Sequence, residues 1–311
     1  MNETTAQKMI CESAILVGDA CFLTEPYLRY MTEKQAKHWL EIGTYNNVHT
    51  TSAELGILEH SLQNYLTKLS TNDFAIVDLG CGDGLKGAHL INLLFHYRYS
   101  VTNYVAIDVN ETLANAALKN VTTKTLLSRE NCAYLQSKFE DMKDYIQHLI
   151  GMKLPKQIIY LFLGNTYNNF DSQTIIHYLQ KIVNVSSTLV IGAKYRKFGT
   201  QNEIDQFIRE YTSFGSQFTY EFGRLLGLDN KSMKRSVRYN FEKQCIEIWL
   251  EISRPSSFMI KSGFSKIRKF LVARSYRPSL EEIISGLLPW FDTVSQGTQS
   301  TNDIILYCYR K

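Results

Sequence analysis

Proline is scarce in this chain, five in 311 residues, and no stretch is low in complexity, built on an internal repeat or rich enough in Pro/Gly to make a linker. A repeat array or two domains on a flexible tether is therefore not expected. No run approaches the roughly 20 apolar residues that cross a bilayer, and MNETTAQKMICESAILVG has no basic region ahead of its short apolar patch. No membrane partner and no secretion signal are expected, which leaves a cytoplasmic location. The six cysteines (Cys11, Cys21, Cys81, Cys132, Cys245, Cys308) form no CxxC pair and no Cys/His ligand spacing. Neither a metal site nor a disulfide framework is expected, and the thiols read as buried and free.

What is present describes a soluble globular protein: 44% hydrophobic and 21% charged residues, in a length that suits one large domain or two modest ones. Net charge is only +4, yet residues 231–277 hold twelve Lys/Arg against three Glu, a local excess of +9. Such a segment can attract an acidic partner. It lacks the interleaved aromatics of an RNA-binding face, so solvated strand and loop surfaces are the simpler reading and no nucleic acid partner is expected.

The most informative stretch is FAIVDLGCGDGLKGAHLINLL (74–94), followed by YVAIDVN (104–110). Ala75, Ile76 and Val77 make a buried strand, Gly80, Gly82 and Gly84 a sharp exit, and Ala88 to Leu94 an apolar helix. The glycines admit a ligand close to the backbone, and Asp108, at the end of a second strand, can take both hydroxyls of a ribose. Asp78 at the end of the first strand would repel a pyrophosphate and favour a cation. The nucleoside cofactor implied is S-adenosylmethionine rather than NAD. Strand patterns continue at 132–139, 157–164 and 188–194, with helices between them, which predicts a doubly wound parallel α/β sheet. Residues 1–70 and 203–227 read as helical. CIEIWLEI (245–252) and the following SFMIKS read as antiparallel strands, and 291–296 with 303–310 as a closing hairpin.

These motifs resemble the class I S-adenosylmethionine methyltransferases, and more narrowly the family of the histidine Nα-methyltransferase of ergothioneine biosynthesis. DLGCGDGLK (78–86) is similar to that family's DLGxGxxxK, VAIDVN (105–110) to xxFDVS, and FLGNTYNNF (162–170) to FLGSTIGNF. RLLGLD (224–229) and IEIWL (246–250) resemble RELGAD and IEMRL. The resemblance implies a Rossmann-like methyltransferase domain over 62–195 plus 279–311. An α+β substrate-binding lobe would be formed by the N-terminus, 1–61, and an insertion, 196–278. It implies cofactor contacts at Gly80, Gly82, Lys86, Asp108, Phe139 and Gly164, and substrate orientation by Asn169, Tyr30 and Ser275.

Departures from the family pattern fall on the acceptor side. LVARSYRP (271–278) stands where the family has TEVSxKF, so Ala273 replaces a glutamate that reads imidazole while Ser275 retains the serine. A paired tyrosine falls on Val48 and His49, and a helical one near Ile204. Lys138 stands at the aspartate of the family's GDF, leaving Glu140 or Asp141 to meet the adenine amino group. The implied activity is methylation of a small-molecule amine, an amino acid or derivative other than histidine. The rival readings are a methyltransferase for RNA or a carrier protein, and a cofactor-binding assembly partner without activity.

Overall fold

The computed structural model describes all residues except 24, 47–49, 68, 70, 139, 140, 142–156, 165, 184–186, 214, 215, 299–301 and 311, and the side chains of 42–46, 50–52, 293 and 298. The elements run α1 (Glu3–Ser13), β1 (Ala14–Val17), β2 (Ala20–Leu23), α2 (Glu33–Asn46), α3 (Thr50–Leu66), β3 (Asp73–Leu79), α4 (Leu85–His96) and β4 (Ser100–Asp108). Next come α5 (Glu111–Lys124), β5 (Cys132–Gln136), β6 (Gln157–Phe162), α6 (Ser172–Ile182), β7 (Ser187–Lys194), α7 (Gln201–Ser213) and α8 (Ser216–Leu225). The chain ends with β8 (Met233–Asn240), β9 (Cys245–Ile252), α9 (Ser257–Lys261), β10 (Lys269–Tyr276), α10 (Leu280–Leu287), β11 (Thr293–Thr298) and β12 (Asp303–Arg310).

Two compact units result, one of residues 1–42 and 198–277, the other of 43–197 and 278–311. The larger holds a seven-stranded sheet in the order β11-β12-β7-β6-β3-β4-β5. Its five strands from β3 to β7 pair in parallel, and β12 joins β7 antiparallel with β11 outside it. Strand alternation sorts side chains onto two buried faces. Phe74, Ile76, Tyr104, Ala106, Ile159 and Leu161 pack beneath α3, α4 and α5. Val77, Leu79, Val105, Ile107, Tyr160 and Phe162 pack beneath α6 and α10. Because the chain leaves β3 for β4 and β5 on one side and returns to β6 on the other, strand order reverses at β3. The carboxyl ends of β3, β4 and β6 there frame the crevice in which doubly wound sheets bind ligands.

The smaller unit carries the sheet β1-β2-β10-β9-β8, in which only β2 and β10 pair in parallel. Its apolar core joins α1, α8 and the inner face of that sheet through Ile10, Phe222, Leu250 and Phe270.

Three sequence expectations are corrected. Residues 14–23 are a β-hairpin rather than helix, since AILV and ACFL are short apolar runs separated by Gly18 at φ 61°. SFMIK is the helix α9 rather than a strand, because Ser256 caps it through Met259 N–H, with Met259 buried in the core and its neighbour Phe258 packed against it. Residues 43–61 group with the larger unit rather than the smaller, since α3 places Ile57, Leu58, Leu62 and Leu66 in the sheet's core.

Candidate cofactor and acceptor sites

The loop leaving β3 is shaped by backbone. Gly80, Gly82 and Gly84 have φ of 67°, 55° and 69°, the left-handed region that costs other residues about 1–2 kcal/mol. Gly84 is also sterically obligatory, since a Cβ there would lie 2.6 Å from both Cα and Cβ of Ala117 in α5. The loop is stitched to the neighbouring strand: Gly80 and Cys81 N–H donate to the Ile107 carbonyl at 2.8 and 3.0 Å, and Gly82 N–H donates to Asp108 Oδ2 at 3.2 Å. The other oxygen of Asp108 accepts from Asn110 N–H at 3.0 Å. Asn110, not Asp108, caps α5 by accepting from Thr112 N–H.

Asp108 is buried, and desolvation lifts its pKa to about 6, against hydrogen bonds from Asn110 and Gly82 that hold it down. Asp78 is raised further, to about 7, by burial and by the nearby Asp83 and Asp108, with the Tyr104 hydroxyl donating to it at 2.8 Å. A Cβ on Gly87 would meet Asp78 Oδ2 at 2.7 Å, so this carboxyl is packed against the first turn of α4. Three acids crowd one strand-end cluster.

Lys86 pairs with Glu54, a residue of α3 that is 1% exposed, and the same carboxylate accepts Gly164 N–H at 3.2–3.3 Å. Glu54 was not found from the sequence. Its only signal is an acid amid the apolar positions of an otherwise core-facing helix. Gly192 in β7 leaves room for it, since a Cβ there would fall 2.3 Å from Glu54 Oε1. Gly164, at φ 77°, turns the chain after β6.

In the 3-10 turn Tyr167–Asn169, the two asparagines differ. Asn168 is fully buried and clamps β7, donating to the Lys194 carbonyl at 2.7 Å and accepting from Lys194 N–H at 2.8 Å. Asn169 is half-buried and its side chain has no hydrogen-bond partner among the described residues. It does not cap α6; Asp171 does, through Thr174 N–H at 2.9 Å. Phe139, Glu140, Val48 and His49 lie outside the described residues.

The other two expected acceptor residues are in the smaller unit. Tyr30 follows a 3-10 turn, with its ring 5.2 Å from that of Phe218 and the Arg29 guanidinium 5.3 Å away. Ser275 is buried on β10, its Oγ 2.7 Å from the Tyr211 hydroxyl and 2.8 Å from Arg277 Nη1. Tyr211 shares a face of α7 with Ile204 and Phe207, spacings of seven and four residues, and sequence reading passed over it. The basic excess of 231–277 is partly consumed internally: Arg238 and Arg274 both pair with buried Glu247, and Arg235 bonds Tyr211 and Thr212 carbonyls.

Among the described residues no helix is long and apolar enough to cross a membrane, and no His/Cys/Asp/Glu group is arranged to hold a metal. Curated proteins yield no match to the sequence. Among solved structures, a S-adenosylmethionine-dependent methyltransferase from Clostridium acetobutylicum is 12% identical at a TM-score of 0.47, covering 88% of this chain and 98% of its own. The PH0226 protein of Pyrococcus horikoshii is also 12% identical, at a TM-score of 0.46 and the same coverage. The sequence model of a family described as histidine-specific, S-adenosylmethionine-dependent methyltransferases matches residues 32–287. A strand-end carboxylate, a glycine loop that tolerates no Cβ at Gly84 and a match over most of its length agree: the chain belongs to the S-adenosylmethionine-dependent methyltransferases of the histidine-specific family.

Proposed function

We propose that this methyltransferase acts on an amine nitrogen of a small molecule, an amino acid or amino-acid derivative other than histidine. The observation that carries the reading is the contrast between the family-like glycine loop and Asp108 at the donor end and Ala273 on β10, which supplies no acid to an imidazole. The larger unit is the methyltransferase domain in this reading, and the smaller handles the acceptor.

S-adenosylmethionine, when bound, supplies an electrophilic methyl carbon on a sulfonium. The chain's own contribution is to bind, orient and exclude water. Asp108 has two backbone N–H partners, and its carboxylate keeps acceptor capacity for a pair of ribose hydroxyls. Gly80 and Gly82 let a ligand approach the main chain. Lys86, held by Glu54, and the adjoining Gly164 fix the far wall of that end. Asn169 in the larger unit, and Tyr30 and Ser275 in the smaller, are the residues that the family resemblance implies for orienting the acceptor. The acceptor would have to be held as a neutral amine, its proton lost to solvent before binding. For a free amino acid's amine, of pKa about 9 to 10, that deprotonation costs roughly 3–4 kcal/mol at pH 7.

The test is product identification. Purified protein with isotopically labelled S-adenosylmethionine and a metabolite extract should yield a labelled N-methyl amine by mass spectrometry. Label found on oxygen, on RNA or on protein instead would overturn the reading.

A further inference from the structure

On the outer face of the smaller unit's sheet, opposite the side that packs on α1 and α8, β9 presents Glu247, Trp249 and Glu251. Glu247 is 2% exposed and is flanked in register by Arg238 on β8 and Arg274 on β10. Its carboxylate takes four donors. Oε1 accepts from Asn240 Nδ2 at 3.1 Å and Arg274 Nε at 3.4 Å, and Oε2 from Trp249 Nε1 at 2.9 Å and Arg238 Nε at 3.2 Å. Burial works against its ionisation, but the hydrogen bonds from Asn240, Trp249 and Arg238 with the charge of Arg274 overcome it, so its pKa lies below the ordinary glutamate value. A carboxylate offers about four lone-pair sites, so this acceptor is full.

Both arginines are thus held by Nε alone. Neither Arg238 nor Arg274 makes a hydrogen bond through Nη1 or Nη2 among the described residues, although the Arg274 side chain is only 22% exposed. Aromatic rings steady them further: the Arg238 guanidinium carbon lies 4.3 Å from the Trp249 ring centre and that of Arg274 6.0 Å from the Phe22 ring centre. Adjacent strands lie about 4.8 Å apart, so the two stems start about 10 Å apart across β9 and lean toward one carboxylate. Two oriented forks result, with outer N–H groups unbonded and two positive charges against one negative.

A second row on the same face is balanced. Lys234 and Lys269 flank Glu251, and Lys269 pairs with Asp19 at 3.3 Å, two cations against two acids. The positive excess is therefore confined to the arginine row, which suits one compact anion rather than a polyanion tracking the sheet. One fork saturates the two oxygens of a carboxylate, whereas two forks flanking one position match a group with three or more oxygens.

We propose that Arg238 and Arg274, splinted by Glu247, form a clamp for a phosphate group, free or carried on a small molecule. Arg274 and Ser275 are successive residues of β10 and so point to opposite faces of the sheet, which separates the clamp from the side chain expected to orient the acceptor. Glu247 is a positioning residue, holding the forks without touching the anion.

The test is calorimetric titration of the full chain at low salt with inorganic phosphate, glycerol phosphate and acetate as probes. Phosphate or its ester should bind at one site and at least about tenfold more tightly than acetate. Arg238→Gln and Arg274→Gln should each weaken that binding at least about tenfold, while Lys234→Gln leaves it within about twofold. Glu247→Gln separates orientation from charge. It removes a negative charge near the anion, so a diffuse electrostatic patch would bind more tightly, whereas loss of the splint weakens binding several-fold. Arg238 lies at the surface, so Arg238→Gln tests the clamp even where a variant at buried Glu247 fails to fold. Tighter binding of inorganic phosphate than of its ester makes the free anion the ligand, and the reverse order places the group on a small molecule. No saturable phosphate binding, an equal loss in Lys234→Gln, or tighter binding by Glu247→Gln overturns the proposal. So does a single-stranded oligonucleotide that binds more tightly than either phosphate probe, which would make the face a nucleic-acid surface.

Discussion

The donor end of the larger unit and the polar cluster of the smaller one are built by different means. At the donor end the shape comes from backbone: three left-handed glycines, N–H groups tied to Ile107 and Asp108, and a turn at Gly164. In the smaller unit it comes from side chains, with Arg277, Tyr211 and Ser275 brought together from α7 and the end of β10. A backbone-built site serves a cofactor that does not change, because altering it damages the fold. A side-chain cluster is replaceable residue by residue without altering the backbone that carries it.

Substitutions at the two ends should therefore separate stability from recognition. The largest effect is expected at Gly84→Val, where a left-handed φ and a collision with Ala117 combine to cost about 3 kcal/mol in urea unfolding. Retention of wild-type stability there would break the comparison. Glu54→Gln should cost about 2 kcal/mol by leaving the Lys86 ammonium without its anion, and Lys86→Met added to it should recover much of that loss. Asp108→Ala should weaken S-adenosylmethionine binding at least about tenfold by calorimetry, since a charged acceptor for hydroxyls is removed; equal affinity would refute the ribose assignment.

Acidity gives a subtler separation. Burial raises Asp78 to about 7 and Asp108 to about 6, both from an unfolded value of 3.8, so between about pH 4 and 7 the native state binds more protons than the unfolded one. The stability these groups contribute is full below the unfolded value and is lost as pH rises through the folded values. Ligand-free protein should lose that contribution on going from pH 4.5 to 7.5, and Asp78→Asn should flatten the slope in urea midpoints. Cofactor affinity should move the other way, rising several-fold as Asp108 ionises near pH 6. The smallest effect on folding is expected at Tyr211→Phe, within about 1 kcal/mol of wild type, because only a hydroxyl is lost. A larger loss would show that the Tyr211 hydroxyl holds the smaller unit together.

Much of the sheet was legible because buried parallel strands are written as continuous apolar runs and their exits as glycine. IVDLG, VAID and LVIGA each stand at the strand they suggest. The hairpin at 14–23 was missed because four-residue apolar runs carry too little period to tell strand from helix, and SFMIK because alternation over five residues fits one helical turn as well. At the candidate site, Asp108 and the glycine loop could be read because a strand-end acid and a glycine turn are local features of the sequence. Glu54 could not, since its partners Lys86 and Gly164 are 32 and 110 residues distant and nothing local marks it.

The sequence by itself determined a parallel α/β sheet and a glycine-rich loop beside a strand-end acid at its carboxyl end, because period, strand-exit glycine and a strand-end acid are local properties. Only the tertiary structure decided which of two adjacent asparagines is spent on holding β7, that Lys86 answers to a buried glutamate, and that Arg277 finds hydroxyls but no acid among the described residues. Those are matters of which long-range neighbours a buried charge or amide finds. Hydrogen-bond satisfaction in a desolvated interior is settled by packing, not by sequence order.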